Sequence, residues 1–414
     1  MAGKKRHLIL GAGNAGMNAA RRLRRLRPED EIILFSKEEL PPYCRCLLTY
    51  VLEGKLSRDE LLRRGREEIT ELELDYRPGC EIVAVEPENC AVHTAAGERI
   101  AGDTMLLATG GEPERPTFPG ANLPGIFTLR RLADLEAMTA RIRPGAVWAV
   151  AGAGLVSLKT IGGLAARGVR VELYARSQRI LSQVLDDEAA ARAAARLEAH
   201  GVTIHTGTEI SAAAPAPQNR LRLTLTDGRA LEVDGLLYGK GVKAAAPAWQ
   251  TTTKKQPATA PNEGNGFAVD DCLRLAERVF AAGDTVRVLN LASGRRERLA
   301  LWPLAGEQGR LVAWNQAQLA AGRPESRLLR YPGGLPGNAF SLFGLDFISA
   351  GQRTFPPAVT DWEKSCQATP ATYRRLNLQA GRLRGFILCG RPAILEAGPL
   401  YARIRREALA ANPG

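Results

Sequence analysis

"HLILGAGNAGMNAARRLRRLRPEDEIILFSKEE", residues 7–39, reads as strand, glycine turn, helix and strand. Residues 7–10 form the first strand, Gly11, Gly13 and Gly16 give G-x-G-x-x-G with Asn14 and Ala15 inside it, residues 19–26 supply a helix, and residues 31–36 form the next strand. Gly11 permits the tight turn, Gly13 lets a pyrophosphate approach the backbone, and Gly16 lets the helix pack closely on the strand. The helix N-terminus then offers unpaired N–H groups to the phosphates. Glycines in this order between two strands predict a dinucleotide-binding unit. The carboxylate that usually binds a ribose hydroxyl at the end of the second strand is replaced by Ser36, followed by Lys37 and Glu38.

A second copy follows at residues 146–181, "AVWAVAGAGLVSLKTIGGLAARGVRVELYARSQRIL". Gly152 and Gly154 hold the first two glycine positions, Leu155 and Val156 lead into the helix, and Ser157 stands at the third. Residues 147–150 and 169–174 are its flanking strands, and the end of the second carries Ala175, then Arg176 and Arg179. An acid there selects NAD, whereas its loss beside arginine accommodates a 2′-phosphate, so this chemistry leans to NADP. Two such units imply two dinucleotides, or one dinucleotide and a relic.

The remaining composition narrows the class. A chain of 414 residues with 45% hydrophobic content is long enough for two or three domains with substantial cores. No apolar run reaches membrane-spanning length. The charged start "MAGKKRHLILGAG" resembles a signal peptide, but its apolar stretch is short and runs into the first glycine loop; the expectation is a cytoplasmic protein. The seven cysteines, at 44, 46, 80, 90, 272, 366 and 389, have no zinc or iron–sulfur spacing, so no metal site is expected. A net charge of +12 gathers in "RRLRRLR", "GRRER" and "RIRRE". Besides forming a solvated face, such charge suits docking of an acidic protein. Nucleic acid is not expected, because no binding module is present and "RRLRRLR" lies on the helix after a nucleotide loop.

Three more stretches carry a family resemblance. "DTMLLATGGEPERP" (103–116) is a strand ending in Ala108, Thr109 and Gly110; "RVFAAGDTVRV" (278–288) ends in Gly283 and Asp284; "LWPLAGEQGRLVAWNQA" (301–317) opens a helix at Trp302 and Pro303. With the first loop they resemble the FAD-binding set of the pyridine nucleotide-disulfide oxidoreductase superfamily. The resemblance implies an α/β fold with two Rossmann-like dinucleotide-binding domains, and a C-terminal α+β domain serving as an interface or acceptor-facing wall. It also implies that Asp284 binds the FAD ribityl hydroxyls, and that the helix at Trp302 directs its N-terminus at the flavin pyrimidine ring, where negative charge collects on reduction. Ile82 falls among the implied FAD contacts. "LLYGKGVKAAA" (236–246), with Gly241, resembles the signature that closes the NAD(P) domain, with Tyr238, Lys240 and Lys243 as departures. The implied limits are 1–112 and 247–330 for a discontinuous FAD domain, 113–246 for the NAD(P) domain, and 331–414 for the C-terminal domain. By composition, "APAPQNR" (214–220) and residues 251–266 read as loops.

The branch within the family turns on "PPYCRCLLTYVLEGK" (41–55). The C-x-x-x-x-C of the disulfide reductases is missing, and so is their C-terminal histidine: the four histidines are 7, 93, 200 and 205. In single-cysteine oxidases, peroxidases and coenzyme A-disulfide reductases, one thiol faces the flavin, and an alignment places it at Cys46. The stretch is more similar to "PYSRPLLPYYLAGK" of the rubredoxin and ferredoxin reductases and of flavin subunits in larger oxidoreductases, including tungsten aldehyde oxidoreductase and phenylglyoxylate dehydrogenase. There the equivalent of Arg45 lies by the flavin and its phosphates, and Cys46 stands where proline usually does, as a small filler. This branch implies hydride exchange between NAD(H), with NADP(H) an alternative, and FAD, then electron exchange with an acidic iron–sulfur (ferredoxin-like) or rubredoxin-type partner, in a possible complex subunit. Lys159, where many relatives carry glutamate at the nicotinamide end of the helix, is either a positioning residue or a helix-surface lysine. Two other readings are a thiol-dependent enzyme using Cys46 and an FAD-bound scaffold with a decayed NAD(P) site.

Overall fold

A computed structural model describes residues 3–250, 265–353 and 361–411. Its first sheet has six strands in the order 274–276, 279–281, 104–107, 6–10, 31–35 and 75–77, all parallel except the edge pair 274–276 with 279–281. Strands covered on both faces read as continuous apolar runs. Accordingly Leu8, Ile9, Ile32, Ile33, Leu34, Met105, Leu106 and Leu107 are buried, each aliphatic side chain contributing about 1.5–3 kcal/mol. The helix Asn14–Leu26 packs on one side against the long helix Trp302–Ala320. His7 lies inside the sheet between Thr104 (2.8 Å) and Asp30 (3.0 Å), and burial lowers its pKa. Gln316 of the long helix donates to the same threonine. His7 is thus a core group rather than an acid–base pair member.

The second sheet runs 202–206, 170–175, 147–151, 235–238 and 126–127, all parallel, with a three-stranded antiparallel sheet (210–216, 220–225, 230–233) beside it. Here one loop expectation fails: residues 214–216 are paired strand, opposite 220–222, and the turn is confined to Pro217–Asn219. Pro215 is tolerated because this is an edge strand, where a missing N–H is harmless. The 251–266 loop expectation lies almost wholly outside the described residues.

The C-terminal unit is a five-stranded antiparallel sheet (337–342, 345–351, 362–368, 373–379, 382–389) carrying the helix Ala397–Ala411. Leu383, Phe386, Leu388, Leu400 and Ile404 form its core. Between the two parallel sheets the chain passes out through Gly111–Pro113 and back through Val242–Ala244, and these segments pair antiparallel.

Candidate functional site

The first loop sits at the carboxyl ends of strands 6–10, 104–107 and 279–281, where an open α/β sheet leaves its binding crevice. Gly11 has φ +110°, and a Cβ there would lie 2.3 Å from the Ala108 carbonyl oxygen. A Cβ on Gly16 would lie 2.0 Å from the Gly11 carbonyl oxygen, whereas one on Gly13 would meet nothing within 4 Å. The turn is therefore closed beneath and open above, the shape a pyrophosphate requires. The helix that starts after Gly13 has no side-chain cap and no acid in its first turn, so its N–H donors remain for an anion.

The other crevice residues converge here. Gly283 approaches Ala15, and its N–H donates to Gln308 at 2.7 Å. Asn14 donates to the carbonyl of Trp302, whose indole is exposed at the uncapped start of the long helix, with Pro303 in the first turn. Thr109 donates to the Ala245 carbonyl, and Gly110 adopts φ +75° beside Arg130. Thus Gly11, Gly13, Asn14, Ala15, Gly16, Ala108, Thr109, Gly110, Gly283, Asp284, Trp302 and Pro303 form one cluster. Ser36, Lys37 and Ile82 are set apart at the next strand end: the Ser36 hydroxyl is engaged with the Glu38 backbone, Lys37 pairs with Glu81 at 2.6 Å, and Ile82 packs partly buried on the core.

Arg45 is fixed by two contacts, one to Glu38 (2.6 Å) and one to the carbonyl of Arg130 (3.1 Å). Tyr43 donates to the second Glu38 oxygen (2.6 Å) and accepts from the Leu132 N–H (2.9 Å); burial pushes its pKa well up. Arg130 in turn pairs with Asp284 at 3.0 Å. A continuous polar chain, Tyr43–Glu38–Arg45–Arg130–Asp284, therefore lines the crevice. Sequence reading found Arg45 and Asp284 but missed Glu38 and Arg130 as their partners. The doublet Arg130-Arg131, with Asp134 accepting both backbone N–H groups, was the available signal.

The two thiols lie at the start of the short helix Arg45–Leu47. The Leu47 N–H donates to the Cys44 carbonyl (3.0 Å), and the pKa of the Cys44 thiol falls to about 7, first through the neighbouring Cys46 thiol, with the backbone N–H groups of the turn and Lys159 adding to it. Cys46 is raised, first by its hydrogen bond to Cys44 and then by burial. Of the two sulfurs, Cys44 is the one favoured as thiolate. Lys159 projects 5.5 Å above the Tyr50 ring, with Lys55 5.9 Å from the same ring. It joins the second loop's helix to the segment that carries the thiols.

In the second loop Gly152 has φ +101°, and its Cβ would lie 2.5 Å from the Gly239 carbonyl oxygen, while Gly154 is open. The helix Leu155–Ala166 starts uncapped, with no acid in its first turn. Leu155 is partly buried and Val156 is exposed. Ser157 is fully buried against the end of strand 235–238: a Cβ on Gly239 would sit 2.2 Å from its Oγ. Gly241, with φ +129°, follows. Ala175 is buried at its strand end, and Arg176 is exposed.

The family model for pyridine nucleotide-disulphide oxidoreductases matches residues 5–309. The chain belongs to that family. It is an NAD(P)H-dependent flavoprotein oxidoreductase of α/β fold, with FAD as its cofactor. Among curated relatives, the epsilon subunit of NADH-dependent phenylglyoxylate dehydrogenase from Aromatoleum evansii is 28% identical over 85% of this chain and 80% of its own. The ferredoxin reductase subunit of 5,5′-dehydrodivanillate O-demethylase from Sphingobium is 30% identical over 73% of each chain. Among solved structures, an engineered water-forming NADPH oxidase bound to NADPH superposes with a TM-score of 0.84 at 18% identity, covering 97% of this chain and 91% of that one. No described helix is long and apolar enough to cross a membrane, and no metal-ligating cluster occurs among the described residues.

Proposed function

We propose that the chain is a reductase component exchanging electrons between NAD(P)H and an iron–sulfur or rubredoxin-type protein, as a subunit of a larger assembly. The observation that carries this reading is the arrangement at residues 38–50. Arg45 is committed to Glu38 and Arg130, and the cations acting on the adjacent thiols are Lys159 and Arg130. No histidine stands ready to shuttle protons for thiol chemistry: His7 is core, His93 and His205 pair with Glu86 and Glu172, and His200 binds the Arg196 carbonyl. The ferredoxin reductase and multisubunit relatives support a protein acceptor, and the charge of +12 suits an acidic one.

In this reading, Gly11, Gly13 and Gly16 and the helix behind them hold the FAD pyrophosphate, Asp284 binds its polyol, and the helix start at Trp302–Pro303 stabilises charge on the flavin. Gly152, Gly154 and Ser157 hold the nicotinamide dinucleotide, with Arg176 beside its adenosine and Gly241 near the closing strand. FAD supplies the conversion between hydride transfer and single-electron transfer. The chain orients both cofactors, fixes Arg45 as a cation beside FAD and keeps water from the crevice. We assign residues 1–112 and 247–330 to the FAD domain, 113–246 to the NAD(P) domain and 331–414 to the interface domain.

The Cys44–Cys46 hydrogen bond favours a second reading, reduction of a sulfur substrate through a thiolate. Anaerobic titration with NADPH and NADH, in wild type and in Cys44→Ala/Cys46→Ala, separates the two. The proposal expects flavin bleaching in both proteins, with reduction of a ferredoxin or rubredoxin retained in the variant. A long-wavelength thiolate-to-flavin band that vanishes together with activity would establish the thiol reading. Failure of either nucleotide to bleach the flavin would point to a decayed nucleotide site.

A further inference from the structure

We infer that the C-terminal sheet sets the shape of the second glycine loop, and that Asp186, Tyr373 and Arg375 are the positioning residues through which it does so. The inference rests on the proposed NAD(P)H site and adds its control from a distant part of the chain. Residues 176–186 form a strap between strand Arg170–Ala175 and helix Asp187–Glu198. One side of the strap meets the loop: the Leu181 N–H donates to the carbonyl of Ala153 (3.0 Å), which stands between Gly152 and Gly154. Leu181 is buried and holds φ +50°, a left-handed conformation that its bulky side chain rarely adopts. Such a conformation persists only where the surroundings impose it.

The other side of the strap is held by the C-terminal unit. Asp186 is buried; its Oδ1 accepts from the Ala189 N–H (3.1 Å) and caps the helix, while its Oδ2 accepts from the Tyr373 hydroxyl (2.5 Å) and from Arg375 (2.8 Å). Arg375 is buried as well and is steadied by Asn377 on its own strand (2.7 Å). Arg353 donates to the Gln183 carbonyl (2.7 Å). Leu181 and Leu185 share one core with Phe347, Tyr373 and Ile387. Val184 and Leu185 donate to the Leu181 carbonyl (2.8 and 2.9 Å), so the stretch from the loop contact to Asp186 is a tight turn. Pinned at both ends, it passes a displacement of Asp186 on to Ala153, and so to the spacing of the two glycines. A buried carboxylate that loses its cation must move or protonate, which makes Arg375 the sensitive end.

Calorimetry on the FAD-loaded protein with ADP-ribose and with 2′-phospho-ADP-ribose reads the loop without turnover, and hydrogen exchange at the Leu181 amide reads the strap itself. Arg375→Gln is expected to weaken the tighter-binding compound about tenfold, the range of a hydrogen bond to a charged group. Tyr373→Phe removes one hydroxyl and keeps the ring in the core, so about threefold is expected there. Arg375→Lys should recover part of the loss. Exchange at Leu181 should rise in the same order, while the limiting rate of flavin reduction at saturating nucleotide stays unchanged, because the change falls on binding. Leu400→Ala, in the core under helix Ala397–Ala411, is the comparison: it should lower thermal stability yet leave nucleotide affinity within about twofold. Affinity that falls as far in Leu400→Ala as in Tyr373→Phe, or that is unchanged in both Arg375→Gln and Tyr373→Phe, would overturn the inference. If neither compound binds wild type while Leu181 exchange still rises in the variants, the strap assignment stands and the nucleotide-site reading falls.

Discussion

The two nucleotide loops of this chain begin alike and diverge at the third glycine. In the first, Gly16 is indispensable, because any side chain would meet the Gly11 carbonyl oxygen at 2.0 Å. In the second, Ser157 occupies the corresponding place, buried, and the space for it comes from Gly239 on the neighbouring strand end. Close packing of helix on strand needs one bare backbone position at the contact. The first loop provides it on the helix, the second on the strand. A serine at the third position is therefore weak evidence that the second site has decayed.

The sharpest way to break the comparison is Gly16→Val. Its side chain collides with backbone that cannot yield, so a cost of about 3 kcal/mol is expected. The isolated protein should lose FAD, read from the ratio of flavin to protein absorbance. Retention of full flavin would mean that the loop does not seat the pyrophosphate.

Gly239→Ala should act on the second loop alone, because its methyl would press on the Ser157 hydroxyl. About 1–2 kcal/mol of destabilisation is expected, with weaker nucleotide binding and normal FAD content. The double variant Gly239→Ala/Ser157→Gly should recover most of the loss, a coupling that a double-mutant cycle measures. Additive effects would refute the idea that the bare position can move from helix to strand.

The smallest effect concerns the thiols between the loops. Iodoacetamide labelling of Cys44 should rise with pH to a midpoint near about 7 and then level off. The sign follows from the folded pKa lying below the ordinary thiol value: thiolate is abundant already at neutral pH. Cys46→Ala should raise the midpoint most, since it removes the donor, and Lys159→Ala should raise it less. A midpoint fixed at the ordinary thiol value in all three proteins would show that the sulfurs do not interact.

The fold was largely legible, because glycines at set intervals between apolar strands leave few alternatives, and the observed strands 6–10, 31–35, 147–151 and 170–175 lie within a residue of those read from sequence. Helix boundaries were less so. The first helix begins at Asn14 rather than Ala19, since the motif's last glycine is helical itself. Site candidates could be named where a motif picks out a residue, as with Gly11 or Asp284. It was opaque where function depends on a partner far along the chain: Arg130 and Asp284 are 154 residues apart. Sequence also offers no means of ranking two thiols two positions apart. The preference for Cys44 comes first from the Cys46 thiol beside it, with the backbone of the short helix and Lys159 adding to it.

The paired segments 111–113 and 242–244 have a mechanical consequence. Hydrogen bonds continue the pair at each end, from Glu114 to Gly241 (3.0 Å) and from Ala245 to Gly110 (2.9 Å). Two separate linkers could twist and slide independently; this ribbon can flex only as one strip, like the spine of a book. Opening the pages would swing everything threaded between the two covers along a single arc, and Gly110, at one end of that spine, lies beside the arginine that holds Asp284.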